Sequence, residues 1–347
     1  MRTGGAEHLL VDLLPALREC GNDVELLLFD GVETPFRNEI ASRDITIHTL
    51  SEGKRPFSLS NMMRLRSYIG KYDIVHTHNT ACQLYAPMAK MLAGAHTPLV
   101  TTEHSSNNRR RDKAYLRGVD KWMYARYAAI ICIADQPRAN LEERIGKRDN
   151  IVTIYNGVDT ARFLRPIKDI SAQQHFVITM VASLTAAKDQ DTVIRALRRL
   201  EPNYTLQLVG GGERQSELEA LAAEQGVADR VKFLGIRTDI PDVLSDSDVI
   251  VLSSHWEGLS LSSIEGMASG RPFIASDVDG LREVVGGSGI LFPHGNDSAL
   301  AMAIYTLCSD ADYYRRVAEQ CQAKAKQYDI SVMADRYLAL YRQLVRS

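Results

Sequence analysis

The sequence predicts an α/β protein made of two doubly wound, Rossmann-like parallel sheets, and three observations carry that expectation. Short runs of β-branched residues alternate with longer amphipathic stretches along nearly the whole chain, the pattern of stacked βαβ units. The 347 residues are roughly twice the length of a common domain, which favours two cores over one. The alternation also lapses after Asn156-Gly157-Val158-Asp159 and restarts at Phe176-Val177-Ile178-Thr179-Met180-Val181, so the chain divides there.

In the first half, strands are expected near 24–29, 45–49, 73–78, 98–103, 129–133 and 151–155, with helices between them. The chain opens on Met1-Arg2-Thr3-Gly4-Gly5-Ala6-Glu7 and runs straight into an apolar-periodic helix from about His8 to Glu19, with no strand ahead of the glycines. The first strand of a doubly wound sheet is central, so its neighbours are expected to lack a partner here, as a start assigned too late or a shortened chain would produce. The polar stretch 160–174 reads as a linker. The second half then gives strands near 176–182, 205–209, 231–234, 248–253, 272–276 and 289–292, followed by a helical tail. The expected domains are 1–158 and 159–327, with a helix over 328–347 packing back on the first domain.

Composition narrows the function classes. Apolar residues at 45% and charged residues at 24% match a folded globular chain and exclude a disordered, collagen-like or coiled-coil one. The formal net charge of −2 argues against a generic nucleic-acid binder. That near-neutral balance hides an asymmetry: Lys54 to Arg148 holds 17 Lys and Arg against 7 Asp and Glu, whereas Asn156 to Ser347 holds 20 against 25. Five widely spaced cysteines without a CxxC pair suggest neither a disulfide framework nor a zinc ribbon, and fit a reducing cytoplasm. No apolar run approaches the ~20 residues of a membrane helix, and the start lacks a signal-peptide pattern.

Ligands of open α/β sheets bind at the carboxyl ends of the strands. The segment Ser253-Ser254-His255-Trp256-Glu257-Gly258-Leu259-Ser260, followed by a helix to about Ser269, therefore carries most weight. It places Glu257 at a strand tip, and the helix beginning near Ser260 aims free N–H groups and a positive dipole end at an anion such as phosphate. Glu265, about a turn inside, can accept from two vicinal hydroxyls, as ribose is commonly held. Ser262 and Glu265 also satisfy the capping-box spacing, in which the carboxylate only closes the helix start.

The pair Glu257 and Glu265, within Glu-Gly-x-x-x-x-x-x-Glu-Gly-Met-Ala-x-Gly-x-Pro, resembles the paired-glutamate signature of family 4 retaining glycosyltransferases with the glycosyltransferase-B fold. The likeness extends over Gly4-Gly5-Ala6-Glu7, Asp73-Ile74-Val75-His76-Thr77-His78, Thr102-Glu103-His104, Asn156-Gly157-Val158-Asp159, Lys188, Gly210-Gly211-Gly212-Glu213 and Asp277-Val278-Asp279-Gly280. The resemblance implies two Rossmann-like domains facing a cleft. The second would hold a nucleoside diphosphate sugar and the first an acceptor, with the anomeric configuration retained and neither a metal nor a separate cofactor required.

Carried over residue by residue, the resemblance implies that Lys188 neutralises the donor diphosphate as a mobile point charge and that Gly5 lets backbone approach the distal phosphate. His104 would face the transferred sugar, where it can hydrogen-bond a hydroxyl and stabilise charge. Glu257 would hold the sugar ring, Gly258, Leu259 and Ser260 would offer backbone donors near the ring and phosphates, and Glu265 would hold the ribose. Arg237 would lie beside the nucleotide base. One departure is Val181-Ala182-Ser183-Leu184, where the family often has an arginine after the strand; Ser183 can only hydrogen-bond the diphosphate.

Other motifs read as decoys. Asp246-Ser247-Asp248 precedes its strand, Asp277-Val278-Asp279 has no metal role implied by the resemblance, and His76-x-His78 has no third zinc ligand spaced nearby. Gly210-Gly211-Gly212 lacks the spacing of a dinucleotide or P-loop turn. The basic loop Arg109-Arg110-Arg111 suits a phosphate-bearing acceptor or anionic lipid headgroups.

The function expected is transfer of a hexose from a nucleoside diphosphate sugar to a glycan or lipid-linked acceptor in cell-surface polysaccharide synthesis. The enzyme would be cytoplasmic and peripheral at the inner membrane face. Two alternatives stand beside it: a nucleotide-sugar epimerase or hydrolase of the same fold, and a non-catalytic nucleotide-binding protein.

Overall fold

The computed structural model describes residues 5–51, 58–104 and 114–346. The chain forms two compact units, 1–157 together with 330–347, and 158–329.

In the first unit the strands are β1 (Glu25–Leu28), β2 (Thr46–Thr49), β3 (Val75–His78), β4 (Leu99–Glu103), β5 (Ala129–Cys132) and β6 (Ile151–Thr153). They do not form one sheet. β1 and β2 pair in parallel as a two-stranded ribbon, and β3-β4-β5-β6 make a separate parallel sheet. Among the described residues β1 pairs only with β2, and β3 only with β4. All residues of β4 and β5 are buried, as expected of parallel strands covered on both faces. Their core includes Leu99, Ile130, Cys132, Met123, Tyr124, Leu65 and Ile69.

The terminal helix Ile330–Arg346 belongs to this first unit and contacts helix Gly5–Glu19. Its buried residues Ile330, Met333, Ala334, Tyr337 and Leu338 recur at helical three- and four-residue spacing. Hydrogen bonds between Tyr341 and His76 (2.5 Å) and between Tyr337 and Thr102 (3.2 Å) bind it to the strands.

The second unit is one six-stranded parallel sheet: β7 (Phe176–Val181), β8 (Tyr204–Val209), β9 (Val231–Gly235), β10 (Val249–Leu252), β11 (Phe273–Ser276) and β12 (Ile290–Phe292). The spatial order is β12-β11-β10-β7-β8-β9, a doubly wound sheet whose strand order reverses between β7 and β10. β10 and β11 are buried throughout, and their apolar runs place them in the middle of the sheet.

The stretch 160–174 is not a free linker. It opens with a short helix, Thr160–Phe163, and is then strapped onto the second unit: Lys168 Nζ lies 2.7 Å from Asp248, and Gln173 donates to the same carboxylate. Asp248 has no exposed side-chain surface and also accepts from the Val177 N–H at 2.7 Å, so this aspartate anchors the start of β7. Strand β6 stops at Thr153, two residues short of the expected end.

Candidate functional site

In the second unit, the loops leaving β7 and β10 meet at the carboxyl side of the strand-order reversal, the position where open α/β sheets bind ligands. Three bonds sew them together. Ser253 Oγ lies 3.1 Å from the Lys188 carbonyl and 2.7 Å from that of Asp189, and the His255 N–H donates to the Ala187 carbonyl at 2.9 Å.

The same loops carry the two charged residues singled out in the sequence. Lys188 ends a short 3₁₀ turn, Ala186–Lys188, and its Nζ bonds Glu257 Oε1, which also accepts from Ser254 Oγ at 2.7 Å. The side chains of Lys188 and Glu257 are 21% and 10% exposed. Lys188 is thus held as the partner of Glu257, where the sequence reading expected a mobile point charge. Partial burial strengthens their attraction over that of a surface pair, so each helps hold the other in place.

Behind Glu257 the backbone is shaped by Gly280, whose φ is +80°. A Cβ there would stand 2.4 Å from the Gly258 carbonyl oxygen and 2.8 Å from that of Glu257, so only glycine allows this approach. Gly258 is half-buried, and Leu259 and Ser260 are buried at the entrance to helix Leu261–Ala268. Ser260 is the N-cap residue, with no side-chain cap bond, so the first-turn N–H groups carry the helix's positive end without a capping hydroxyl. Ser262 and Glu265 do not occupy capping-box positions, because Ser262 already lies inside the helix; Glu265 is buried, at 5% exposure.

Ser183 follows β7 with its side chain exposed, and its carbonyl accepts from Gln190 Nε2 at 2.9 Å. The glycine run after β8 presses on this loop: a Cβ at Gly210, where φ is +142°, would sit 2.1 Å from the Ala182 carbonyl oxygen. Arg237, beyond β9, is exposed and forks onto Asp239, with Nε to Oδ1 at 2.7 Å and a second bond from Nη2 to Oδ2. Its charge is already matched by that neighbour, which the sequence reading did not foresee.

The first unit places Gly5 at the start of helix Gly5–Glu19, and Asn79, just past β3, donates from Nδ2 to Glu7 Oε1 at 3.3 Å. His104 follows β4, and its Nε2 shares a 2.8 Å hydrogen bond with His78 Nδ1. The His78 ring stacks on His76, with centroids 4.4 Å apart. His76 in turn bonds Tyr341 through Nδ1 at 2.5 Å and Thr102 through Nε2 at 2.8 Å. Desolvation pushes all three imidazoles down from their ordinary value: His76 to about 3, helped by the charge of His104, His78 well below normal, and His104 to about 4. Near neutral pH His104 is therefore a neutral ring able to hydrogen-bond. Arg109, Arg110 and Arg111 lie outside the described residues.

The acidic decoys have structural partners. Asp248 anchors β7, and Asp277 and Asp279 are bridged by Arg282 at 2.6 and 2.9 Å. A different group escaped the sequence reading: Asp189, His255 and His294 place one ligand-capable atom each within 4.8 Å of one another. They stand 66 and 39 residues apart, so no local spacing could signal them.

Two family models divide the chain between them: one described as Glycosyltransferase Family 4 matches residues 3–162, and one described as Glycosyl transferases group 1 matches residues 175–310. The chain is 30% identical over 230 residues to the UDP-Gal:alpha-D-GlcNAc-diphosphoundecaprenol alpha-1,3-galactosyltransferase of Escherichia coli, covering 60% of this chain and 59% of that protein. It is 26% identical over 322 residues to the alpha-D-kanosaminyltransferase of Streptomyces kanamyceticus, covering 85% and 83%. Among solved structures, Anabaena Alr3699/HepE in complex with UDP superposes with a TM-score of 0.86 at 23% identity, over 99% of this chain and 97% of that one. A fold shared along almost the whole length, with family matches in both halves, places the chain among the group 1, family 4 glycosyltransferases of the glycosyltransferase-B fold, and it is a glycosyltransferase.

Proposed function

We propose that this glycosyltransferase moves a hexosyl group, with retention of anomeric configuration, from a nucleoside diphosphate sugar to a hydroxyl of a glycan or lipid-linked acceptor. The observation that carries this reading is the convergence of Lys188, Glu257 and the uncapped start of helix Leu261–Ala268 at the strand-order reversal of the second unit. A diphosphate needs positive partners as its bond to the anomeric carbon breaks. The Lys188 ammonium and the first-turn N–H groups supply them, and they are fixed before the reaction begins. In this reading Glu257 accepts from sugar hydroxyls and Glu265 from the ribose. Ser183 contributes a hydroxyl where the family resemblance implies a guanidinium, and Gly258, Leu259 and Ser260 contribute backbone. In the first unit, the neutral His104 ring donates or accepts a hydrogen bond at the sugar, and Gly5 leaves the start of its helix open to a phosphate.

The UDP complex of the Anabaena protein and the diphosphoundecaprenol substrate named for the Escherichia coli relative support a nucleotide donor and a lipid-linked acceptor. No helix among the described residues is long and apolar enough to cross a membrane. We place contact with anionic lipid at the basic stretch around Arg109, Arg110 and Arg111. The deciding experiment incubates the protein with a panel of nucleoside diphosphate sugars, with and without saccharide and undecaprenyl-diphosphate acceptors. Acceptor-dependent release of nucleoside diphosphate is expected. Free sugar or isomerised donor formed without acceptor would instead establish the hydrolase or epimerase alternative.

A further inference from the structure

We propose that Asp189, His255 and His294 form a binding site for one divalent d-block cation of the zinc class, tying together the loops that follow β7, β10 and β12 in the second unit. The three residues come from three different loops at the same end of the sheet. His255 Nδ1 faces His294 Nε2 in direct hydrogen-bond contact, their rings meeting edge-on with centroids 4.7 Å apart, and His255 Nδ1 lies 4.0 Å from Asp189 Oδ2. A hydrogen bond between the two imidazoles accounts for only two of these groups. The third, a carboxylate turned toward the same point, is beyond hydrogen-bond reach of the ring.

A cation satisfies all three. Zinc holds nitrogen and oxygen ligands at about 2.0–2.2 Å, which sets neighbouring ligand atoms about 3.3 Å apart in a tetrahedron. The two imidazole nitrogens, now in hydrogen-bond contact, would part by about 1 Å, and the carboxylate, 4.0 Å from His255 Nδ1, would approach that nitrogen by about 0.7 Å. Both nitrogens would then present lone pairs, the one that donates in the metal-free pair having its proton on the other nitrogen of its ring. The donor set of two imidazoles and one carboxylate suits zinc, nickel, copper or cobalt, and is too nitrogen-rich for magnesium or calcium.

The surroundings fit that role. Asp189 is 4% exposed and is oriented by Thr192, whose hydroxyl donates to Oδ2 at 2.6 Å and whose N–H donates to Oδ1 at 3.3 Å. Metal-binding carboxylates are held in this way by outer partners. His255 is fixed through its N–H to Ala187 and lies against the Trp256 ring, while exposed His294 offers an entry path from solvent. Three protein ligands leave a fourth position for water. Asp189 is adjacent to Lys188 and His255 lies two residues from Glu257, so the bound ion would stiffen both loops of the candidate site without taking part in the transfer.

The test is calorimetric titration of zinc chloride into the full chain after chelator treatment and dialysis, with no sugar donor present. One equivalent is expected to bind, His294→Ala and His255→Gln are each expected to weaken binding at least about tenfold, and His175→Ala, another exposed histidine of the second unit, is expected to change nothing. Magnesium should not compete. Cobalt should give the visible spectrum of a low-coordinate nitrogen-oxygen site, and His294→Ala should abolish it. Failure to take up zinc, uptake unchanged in His294→Ala, or equal uptake of magnesium would each overturn the proposal. His294 is exposed, so its alanine variant keeps the test decisive even if His255→Gln folds poorly. The titration contains no donor or acceptor, so its outcome is independent of whether the proposed transfer reaction is correct.

Discussion

Lowering the pH should destabilise the first unit through its three linked histidines, by an amount that follows from their environment. An unfolded imidazole titrates near 6.5, whereas His76 and His104 in the fold are pushed to about 3 and about 4, mainly by desolvation, and His78 also lies well below normal. Their folded pKa values are depressed, so the neutral rings give full stability above about pH 6.5. As pH falls below that value the unfolded chain takes up protons that the native chain refuses. The stability is lost progressively as pH falls to the folded values, about pH 4 for His104 and about pH 3 for His76. By linkage, His76 and His104 each cost about 2 kcal/mol between pH 7.5 and 5, roughly 4 kcal/mol together, and His78 adds to the loss in the same direction. The two tryptophans make this measurable, because Trp122 belongs to the first unit and Trp256 to the second. In a Trp256→Phe background, Trp122 fluorescence during urea unfolding follows the first unit. Adding His104→Asn should reduce the pH-dependent loss by about 2 kcal/mol, whatever constant offset the substitution brings. An equal pH dependence with and without His104, or a His104 ring proton resonance titrating near 6.5, would refute the assignment of these rings as neutral.

Three further outcomes are expected. Lys188→Ala should weaken nucleoside diphosphate binding in calorimetry and, by leaving Glu257 without its partner, destabilise the second unit by about 1–3 kcal/mol; unchanged affinity would remove Lys188 from the phosphate site. Gly280→Ala should cost about 2–4 kcal/mol, read from Trp256 fluorescence in urea, because its methyl would strike the Glu257 and Gly258 carbonyls at positive φ; a neutral effect would mean that the Glu257 loop is not braced there. His104→Ala should slow acceptor-dependent transfer while sparing nucleoside diphosphate affinity, and equal loss of both would mark the ring as structural.

Much of this was legible in the sequence, because strand periodicity and turn residues are local signals. The apolar runs at 176–181 and 249–252 could only be covered strands, and both stand in the middle of the second sheet. The division of the first unit's described strands between a β1–β2 pair and a separate four-stranded sheet comes from their pairing in space. The Glu257–Glu265 spacing marked the loop and helix that adjoin the strand-order reversal, since both lie on one continuous segment.

Tertiary structure decided which charges meet. Lys188 and Glu257 are 69 residues apart, and no periodicity announces that parallel strands β7 and β10 will lie side by side and bring their following loops together. For the same reason sequence could not show that residues 164–174 would be strapped to Asp248. Nor could it assemble Asp189, His255 and His294, which depend on three crossovers returning to one end of the sheet. Residue type and local pattern set where strands, helices and phosphate-suited turns form. The pairing of distant side chains, and the desolvation that keeps His76, His78 and His104 neutral, arise only from packing those elements together.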